Sequence, residues 1–553
     1  MREIEHDLLR LVAELPLVDR IELALLSRWS ERAVYQRLGD LRRAGLVEDL
    51  PHASELIRPT RRFLLSARGI ERLALTTDRS REMLLRDHPI SEQWRRMLAG
   101  RLDAAAVIYR LACALAAVDG PPRLRWYRSQ PADAALALPD AQTLAVVRWG
   151  RTADRTAFAV RMSRLREGAL YSAALLLVPD EVRLRQARRL ARGMPFICFL
   201  ALERDAAESD SEDDVWRTPT GSVLLSLRET LSYARPGGEW AVETVPRRPL
   251  PPRSLAAQEA EEPDWLLLSR FKPSEKRCLE LIGDWPWIKS DHLGLLLGVE
   301  RRRVSQLTAA LEWHDLATAP RIDGHRRLVL SDRGLTLLAR RDRASVGAAR
   351  KRWSASLVDP DAPFGWRNLR GRRSRQLLRH LTHTEAVHGF LAALADQARS
   401  NGRELTQIDP PHRASRYFRF EDRLHSVQPD AFGVLRRDGR DQPFFLEWER
   451  RAIRPSTMAA KVAPYLRYYA THRPTDDHGA EPLVLVAVED PLAADHFLRV
   501  SRKSQERTDF PVPLWVSDCS TLAERGPLGP AWRSRDCPIA ERAFAERSGA
   551  SMD

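Results

Sequence analysis

Cysteine is scarce in this 553-residue chain: five thiols, at positions 113, 198, 278, 519 and 537, lie scattered, and none forms a C-x-x-C pair. That spacing excludes a disulfide-stapled secreted framework and a thiolate zinc site. Long apolar runs are lacking too. No stretch nears the ~18 residues that span a bilayer, and the opening MREIEHDLLR has no apolar signal-peptide run, so a cytoplasmic protein with no membrane partner is expected. Negative charge is in deficit: 75 Asp and Glu oppose 89 Lys and Arg, for a formal charge of +14. Such an excess favours polyanionic partners, because each phosphate that meets a Lys or Arg releases condensed counterions. What is present in quantity, 44% hydrophobic and 30% charged residues, suits cored domains rather than a disordered chain. The length predicts about three or four domains of ~100 to 200 residues.

Self-similarity organises the rest. LVAELPLVDRIELALLSRWSERAVYQRLGDLRRAGLV, from Leu11, lies without a gap over LIGDWPWIKSDHLGLLLGVERRRVSQLTAALEWHDLA, from Leu281. Pro16 falls on Pro286, Leu23 on Leu293, Val34 on Val304, Gln36 on Gln306 and Leu41 on Leu311. RRFLLSARGIERLA, from Arg61, lies over RRLVLSDRGLTLLA, from Arg326, so the intervening hairpin is five residues shorter in the second copy (the offsets are 270 and 265). Fainter matches continue: Ala106-Val107 with Ala386-Val387, Pro139-Asp140 with Pro429-Asp430, and Trp216-Arg217 with Trp532-Arg533. Between the copies, Pro246 to Asp264 is rich in proline and charge and reads as a linker.

Each copy opens with a winged helix-turn-helix pattern. In the first, apolar residues recur at helical spacing from Leu8 to Leu15, across Ile21 to Leu26 and across Val34 to Leu41; Ser30 is placed to cap the third helix and Gly45 to end it. Strands at Leu46–Asp49 and Arg61–Leu65 follow. A third helix in such a module presents base edges in the major groove while the wing meets phosphate. The expected DNA contacts are Arg32, Tyr35, Gln36, Arg37, Arg61 and Arg62 in copy one. In copy two they are Arg301, Arg302, Arg303, Ser305, Gln306, Arg326 and Arg327, with a tight wing turn at Asp323-Gly324.

After each module the pattern runs helix, strand hairpin, helix, strand, the order of a restriction-endonuclease-like core. The expected architecture is therefore α/β multidomain: winged helix 1 (1–90), a degenerate nuclease-like domain (91–245), a linker (246–268), winged helix 2 (269–350) and a nuclease-like domain (351–540). Asp430 in VQPDAFGVL and Glu447 in FFLEWERR flank a turn at Asp438-Gly439, which would bring two carboxylates together on adjacent strands. Hard oxygen ligands of this kind suit Mg²⁺ or Mn²⁺, with Glu385 a further candidate ligand. Glu449 shares a face with Glu447 and stands where nucleases keep lysine; the missing positive charge is sought at Lys461 or Arg450. Asp430, Glu447, Glu449 and Lys461 are thus the candidate catalytic set. In copy one Asp140 is the expected partner of Asp430, while Val160 or Arg161 faces Glu447, so that copy is expected to bind no metal.

The L-S-x-R-G of Leu330 to Gly334, Pro429 to Ala431, Leu446 to Arg451, the K-x-x-x-Y of Lys461 to Tyr465 and the late Trp532-Arg533 together resemble the bacterial replication-relaxation family, well from Phe271 to Arg533 and weakly over residues 1 to 245. The resemblance implies a role on plasmid or mobile-element DNA, beside other replication or mobile-element proteins, and makes an acid at Glu449 ordinary. Double-stranded DNA is the expected partner. Three activities stay open: metal-dependent nicking, regulatory binding with both nuclease-like domains as scaffolds, and protein adaptation without DNA.

Overall fold

The computed structural model describes residues 3–153, 155–243, 248–259, 261–449, 455–506, 508, 510–535, 537 and 539–544. They divide into two units, one of Met1–Lys276 with Thr336–Ala349, the other of Arg277–Leu335 with Arg350–Asp553. Each mixes helices with a central sheet.

In unit one the expected apolar stripes become α1 (Glu3–Glu14), α2 (Arg20–Ser27) and α3 (Glu31–Arg43), followed by the antiparallel pair β1 (Val47–His52) and β2 (Thr60–Leu65) and by α4 (Ala67–Thr77). Local chemistry sets the boundaries. Asp19 and Glu22 form a capping box on α2, and Ser30 accepts the Ala33 N–H at the start of α3 (3.3 Å). Leu8, Val12, Leu23, Val34, Leu38 and Leu41 close a common core. A long helix α5 (Leu102–Asp119) then leads into a seven-stranded sheet: β3 (Arg123–Trp126), β4 (Ala134–Ala137), β5 (Thr143–Arg148), α6 (Arg155–Arg166), β6 (Ala173–Val178), α7 (Glu181–Ala191), β7 (Ile197–Leu202), a short helix (Glu203–Glu208), β8 (Trp216–Arg217) and β9 (Leu224–Leu225). The strands stand in chain order; β5, β6 and β7 are parallel and the outer pairs antiparallel. β6, AALLLV, is buried along its whole length, as a strand covered on both faces must be.

Unit two repeats this order from within α8 (Pro273–Asp284) through α9 (Ser290–Leu297), α10 (Arg301–Trp313) and the hairpin strands β10 (Ala317–Thr318), β11 (Arg321–Ile322), β12 (His325–Arg326) and β13 (Val329–Leu330) to the start of α11 (Asp332–Arg341), whose residues from Thr336 are counted with unit one. Asp323 and Gly324 turn the β11–β12 hairpin with φ of 50° and 77°. The shared S-x-R-G has a steric cause. Ser66 and Ser331 each cap the following helix through the Gly69 and Gly334 N–H, and a Cβ on either glycine would fall 2.0 or 2.1 Å from the carbonyl of Leu46 or Leu316. Beyond the wing come α12 (Arg372–Arg379), α13 (Leu381–Ser400), β14 (Glu404–Asp409), the hairpin β15 (Arg416–Phe420) and β16 (Arg423–Val427), β17 (Ala431–Arg437), β18 (Arg440–Glu449), α14 (Pro455–Tyr469), β19 (Leu483–Val488), α15 (Pro491–Gln505), β20 (Leu514–Asp518) and β21 (Arg533–Ser534). The six-stranded sheet runs β14-β17-β18-β19-β20-β21, with β18, β19 and β20 parallel. Its sequence of antiparallel and parallel pairs matches β3 to β8 of unit one.

The expected linker is only partly a linker. Residues 244–247 and 260 lie outside the described residues, but Leu255–Glu259 is helical and its neighbours bond back to unit one: the Glu92 N–H donates to the Leu250 carbonyl (2.9 Å), Arg95 to the Arg253 carbonyl (2.7 Å) and the Leu255 N–H to Glu48 (3.0 Å). Proline there shapes a strap that keeps its backbone partners.

Candidate functional site

The Asp430 N–H donates to the Leu446 carbonyl (2.8 Å) just before β17 pairs with β18, and its Oδ2 accepts the Trp448 N–H (2.8 Å). These two bonds aim the aspartate across the end of the hairpin that Asp438-Gly439 turns. His383, near the start of α13, donates from Nε2 to Asp430 Oδ1 (3.0 Å). On β18, Glu447 and Glu449 lie two residues apart and share a face. Lys461 and Tyr465, one turn apart on α14, reach that face: Lys461 Nζ donates to Glu447 Oε2 (3.0 Å) and pairs with Glu449, while the Tyr465 hydroxyl donates to Glu447 Oε1 (2.6 Å).

Glu447 is buried, which raises its carboxyl pKa; Lys461 opposes the rise and the Asp430 charge reinforces it. Two hard-oxygen side chains that repel one another are a donor set suited to Mg²⁺ or Mn²⁺. Among the described residues no group of three or more His, Cys, Asp or Glu side chains converges as a ready metal cage. Lys461 takes the cationic role between Glu447 and Glu449.

Glu385 departs from the expected ligand set. It pairs with Lys289 and with Arg327 (2.6 Å), and those bonds outweigh its burial to hold its carboxyl below the usual range. It follows His383 by two residues on α13 but serves the join between wing and helix. Arg450 lies outside the described residues. His383 and Tyr465 are partners absent from the expected set. Tyr465 carries a signal, its i+4 spacing from Lys461, whereas His383 has none beyond lying two residues before Glu385.

The first unit holds a corresponding place, but at other residues than expected. Asp140 sits in the β4–β5 turn, its carboxylate accepting the Gln142 N–H (3.3 Å). The residue with Asp430's bonding is Asp133: its N–H donates to the Val146 carbonyl (2.8 Å) and its Oδ2 accepts the Arg148 N–H (2.7 Å). Because Ala134 pairs with Val146 as Ala431 pairs with Leu446, the position of Glu447 is held by Val147, not Val160 or Arg161. One extra residue, Ala132 between Pro131 and Asp133, breaks the Pro-Asp motif here, and the intact Pro139-Asp140 downstream imitates it. Arg161 on α6 and Arg343 bind Asp133 at 2.9 and 3.0 Å. Burial alone would raise the Asp133 carboxyl; the two guanidiniums outweigh it and hold it well below the usual carboxylate range.

The expected DNA-facing residues sort by exposure. On the third helices Arg32, Tyr35, Gln36, Arg301, Arg302, Ser305 and Gln306 face solvent, the Tyr35 ring lying under Arg20. Arg37 is half-buried and paired with Asp40 (3.1 Å), and Arg303 donates to Gln306 (3.2 Å). On the hairpins Arg61 is exposed beside Asp49 and Arg326 beside Glu312 (2.6 Å). Arg62 and Arg327 do not reach solvent: Arg62 is fully buried against Glu22, and Arg327 is 2% exposed against Glu385. Arg62, on β2, and Arg327, between β12 and β13, are instead turned inward to their acids.

No helix among the described residues is long and apolar enough to cross a membrane. Two α/β units, each with a helical module preceding a mixed sheet and one with a buried acidic centre, define the class of protein. Within it, residues 316–484, from the wing through β18 to β19, match the family described as replication-relaxation. Comparison with curated proteins and with solved structures finds no match.

Proposed function

We propose that this protein binds duplex DNA through two winged-helix modules, α1–β2 and α8–β13, and acts in replication or mobile-element DNA processing, with the restriction-endonuclease-like sheet of unit two as a metal-dependent nicking centre. Unit one is then a degenerate copy retained for architecture and DNA contact. The reading rests on one juxtaposition: Asp430 before β17, Glu447 on β18 and Lys461 from the following helix meet within residues 316–484, the segment that matches the replication-relaxation family. Asp430 and Glu447 would hold a Mg²⁺ or Mn²⁺, which supplies charge neutralisation at a phosphate and a more acidic water. The chain's own residues do the positioning. Tyr465 fixes one oxygen of Glu447, His383 fixes Asp430, and Lys461 offsets the charge of Glu447 and Glu449.

A second reading, a regulator whose nuclease-like sheets are scaffolds, is favoured by a specific observation: all four carboxylate oxygens of Asp430 and Glu447 already have protein donors. Incubating the purified chain with supercoiled plasmid, with and without Mn²⁺, separates the two. Metal-dependent open circles support the nicking centre; binding with no cleavage at any metal concentration leaves the regulator. Absence of duplex binding even at ~50 mM salt, where phosphate contacts count most, removes both in favour of an adaptor.

A further inference from the structure

The segment joining the wing module of unit two to α13 carries no acidic residue from Ala362 to Thr384, yet holds six arginines: Arg367, Arg370, Arg372, Arg373, Arg375 and Arg379. All six are exposed, and among the described residues none forms an ion pair. Their bonds go to neutral partners. Arg370 donates to the Leu357 carbonyl (3.0 Å), Arg373 to Gln376 (2.7 Å), and Arg367 and Arg379 lie over the Trp366 ring at 4.7 and 5.2 Å. Six exposed arginines with no carboxylate in the same segment concentrate positive charge on one surface, the pattern that attracts a polyanion.

The surface is rigidly mounted. Trp287, beside the wing, donates from its indole to the Ser374 carbonyl (3.1 Å), Ser374 donates to the Trp353 carbonyl (2.7 Å), and Trp287, Val329, Leu369 and Leu378 form one buried cluster. With Ser374 and Leu378 turned inward, Arg372, Arg375 and Arg379, at i, i+3 and i+7, share the outer face of α12. They span about 10 Å along the helix axis, the rise of about three nucleotides of one duplex strand. One end of α12 is anchored to the module that carries α10; the other passes through His380 into α13, where His383 holds Asp430.

We propose that this arginine face is a phosphate track along which a duplex engaged by α10 runs toward the Asp430–Glu447 centre. The proposal rests on the duplex-binding reading above. Arg379 is held over the Trp366 ring, Arg372 and Arg375 project from the same anchored helix, and guanidiniums suit bidentate phosphate contacts. The position between two elements of that reading favours duplex DNA over an acidic protein.

The test compares the full-length wild type with Arg372→Ala/Arg375→Ala/Arg379→Ala and with the corresponding triple lysine variant, by anisotropy of a labelled ~30-base-pair duplex across a salt series. Expected is an affinity loss of about tenfold or more near 0.1 M salt and a log–log salt slope shallower by about 2.7, or 0.9 per lost phosphate. The lysine variant should restore the slope, and thermal unfolding should match wild type in both. A wild type that binds while the alanine variant keeps its slope overturns the track and leaves the duplex-binding reading intact. Loss of polyglutamate binding with unchanged duplex binding overturns it in favour of an acidic protein partner. A wild type that binds no duplex at ~50 mM salt sinks the functional reading and the track with it.

Discussion

Asp133 and Asp430 occupy one place in two sheets built alike, and they are held by the same two backbone bonds, yet their surroundings differ in kind. Around Asp430 stand a buried glutamate, a lysine, a tyrosine and a histidine; around Asp133 stand Val147, Arg161 and Arg343. The default work of an aspartate here is therefore structural: it receives a strand N–H that would otherwise lack a partner where the hairpin opens. What distinguishes the unit-two centre is the second acid, on the neighbouring strand, which the proposed cation would need. In unit one the guanidiniums already neutralise the aspartate, and valine continues the apolar core of the parallel strands.

The comparison is broken most directly at the second acid. Glu447→Ala should take Mn²⁺-dependent nicking of supercoiled plasmid down by about a thousandfold or more, to background, while duplex affinity stays unchanged. Asp133→Ala should leave nicking untouched but cost about 3–5 kcal/mol of stability, because Arg161 and Arg343 would stay buried without their carboxylate. Asp430→Ala should cost less, about 1–2 kcal/mol, since its partners are a half-buried histidine and one N–H. Urea unfolding of the three proteins reads this directly. Equal losses for Asp133→Ala and Asp430→Ala would remove the distinction between the units.

A second pair sharpens it. Arg62 and Arg327 occupy the same wing position, but the acid moves: Glu22 on α2 serves Arg62, whereas the residue aligned with Glu22 in unit two is His292 and the acid comes from Glu385 on α13. Arg62→Ala should cost about 3–5 kcal/mol, because it strands a fully buried carboxylate. Arg327→Ala should cost about 1–2 kcal/mol, because Glu385 is partly exposed and keeps Lys289. Thermal unfolding that ranks the two the other way would mean the wing arginines are not anchored by these acids.

Much of this architecture is legible in the order of residues alone. Helical stripes, Ser30, the Asp323-Gly324 and Asp438-Gly439 turns and the S-x-R-G tails act through local geometry, so residue type at fixed spacing carries them. The meeting of Asp430, Glu447 and Lys461 is legible because a tight turn and one helix bring them together. Burial of Arg62 and Arg327 is not, since a charged residue on a wing strand reads as exposed until the acid that receives it, 40 or 58 residues away, is placed. Asp133 escapes for another reason: one inserted residue shifts a motif, but leaves strand register unchanged.

The smallest expected effect, per pH unit, concerns two buried groups, Glu22 in unit one and His388 in unit two, whose surroundings should respond to pH in opposite directions. Burial, reinforced by Asp19 and opposed by Arg62, pushes Glu22 up to about 7. A carboxyl raised from 4.5 contributes its full stability below pH 4.5 and loses it as pH rises toward 7. In unit two, burial, with His292 and Arg327 adding, pushes His388 down to about 3. A histidine depressed from 6.5 contributes its full stability above pH 6.5 and loses it as pH falls toward 3. Between pH 4.5 and 6.5, peptides from α2 should therefore lose protection as pH rises and peptides from α13 should gain it, each by at most about 1.4 kcal/mol per pH unit. Hydrogen exchange, corrected for its intrinsic pH dependence, reads the two units separately in one sample. His388→Gln should flatten the α13 trend and leave that of α2 in place, and Glu22→Gln should do the reverse. If His388→Gln leaves the acid-side loss around α13 unchanged, the buried histidine is not its source, and the opposed trends of α2 and α13 have another cause.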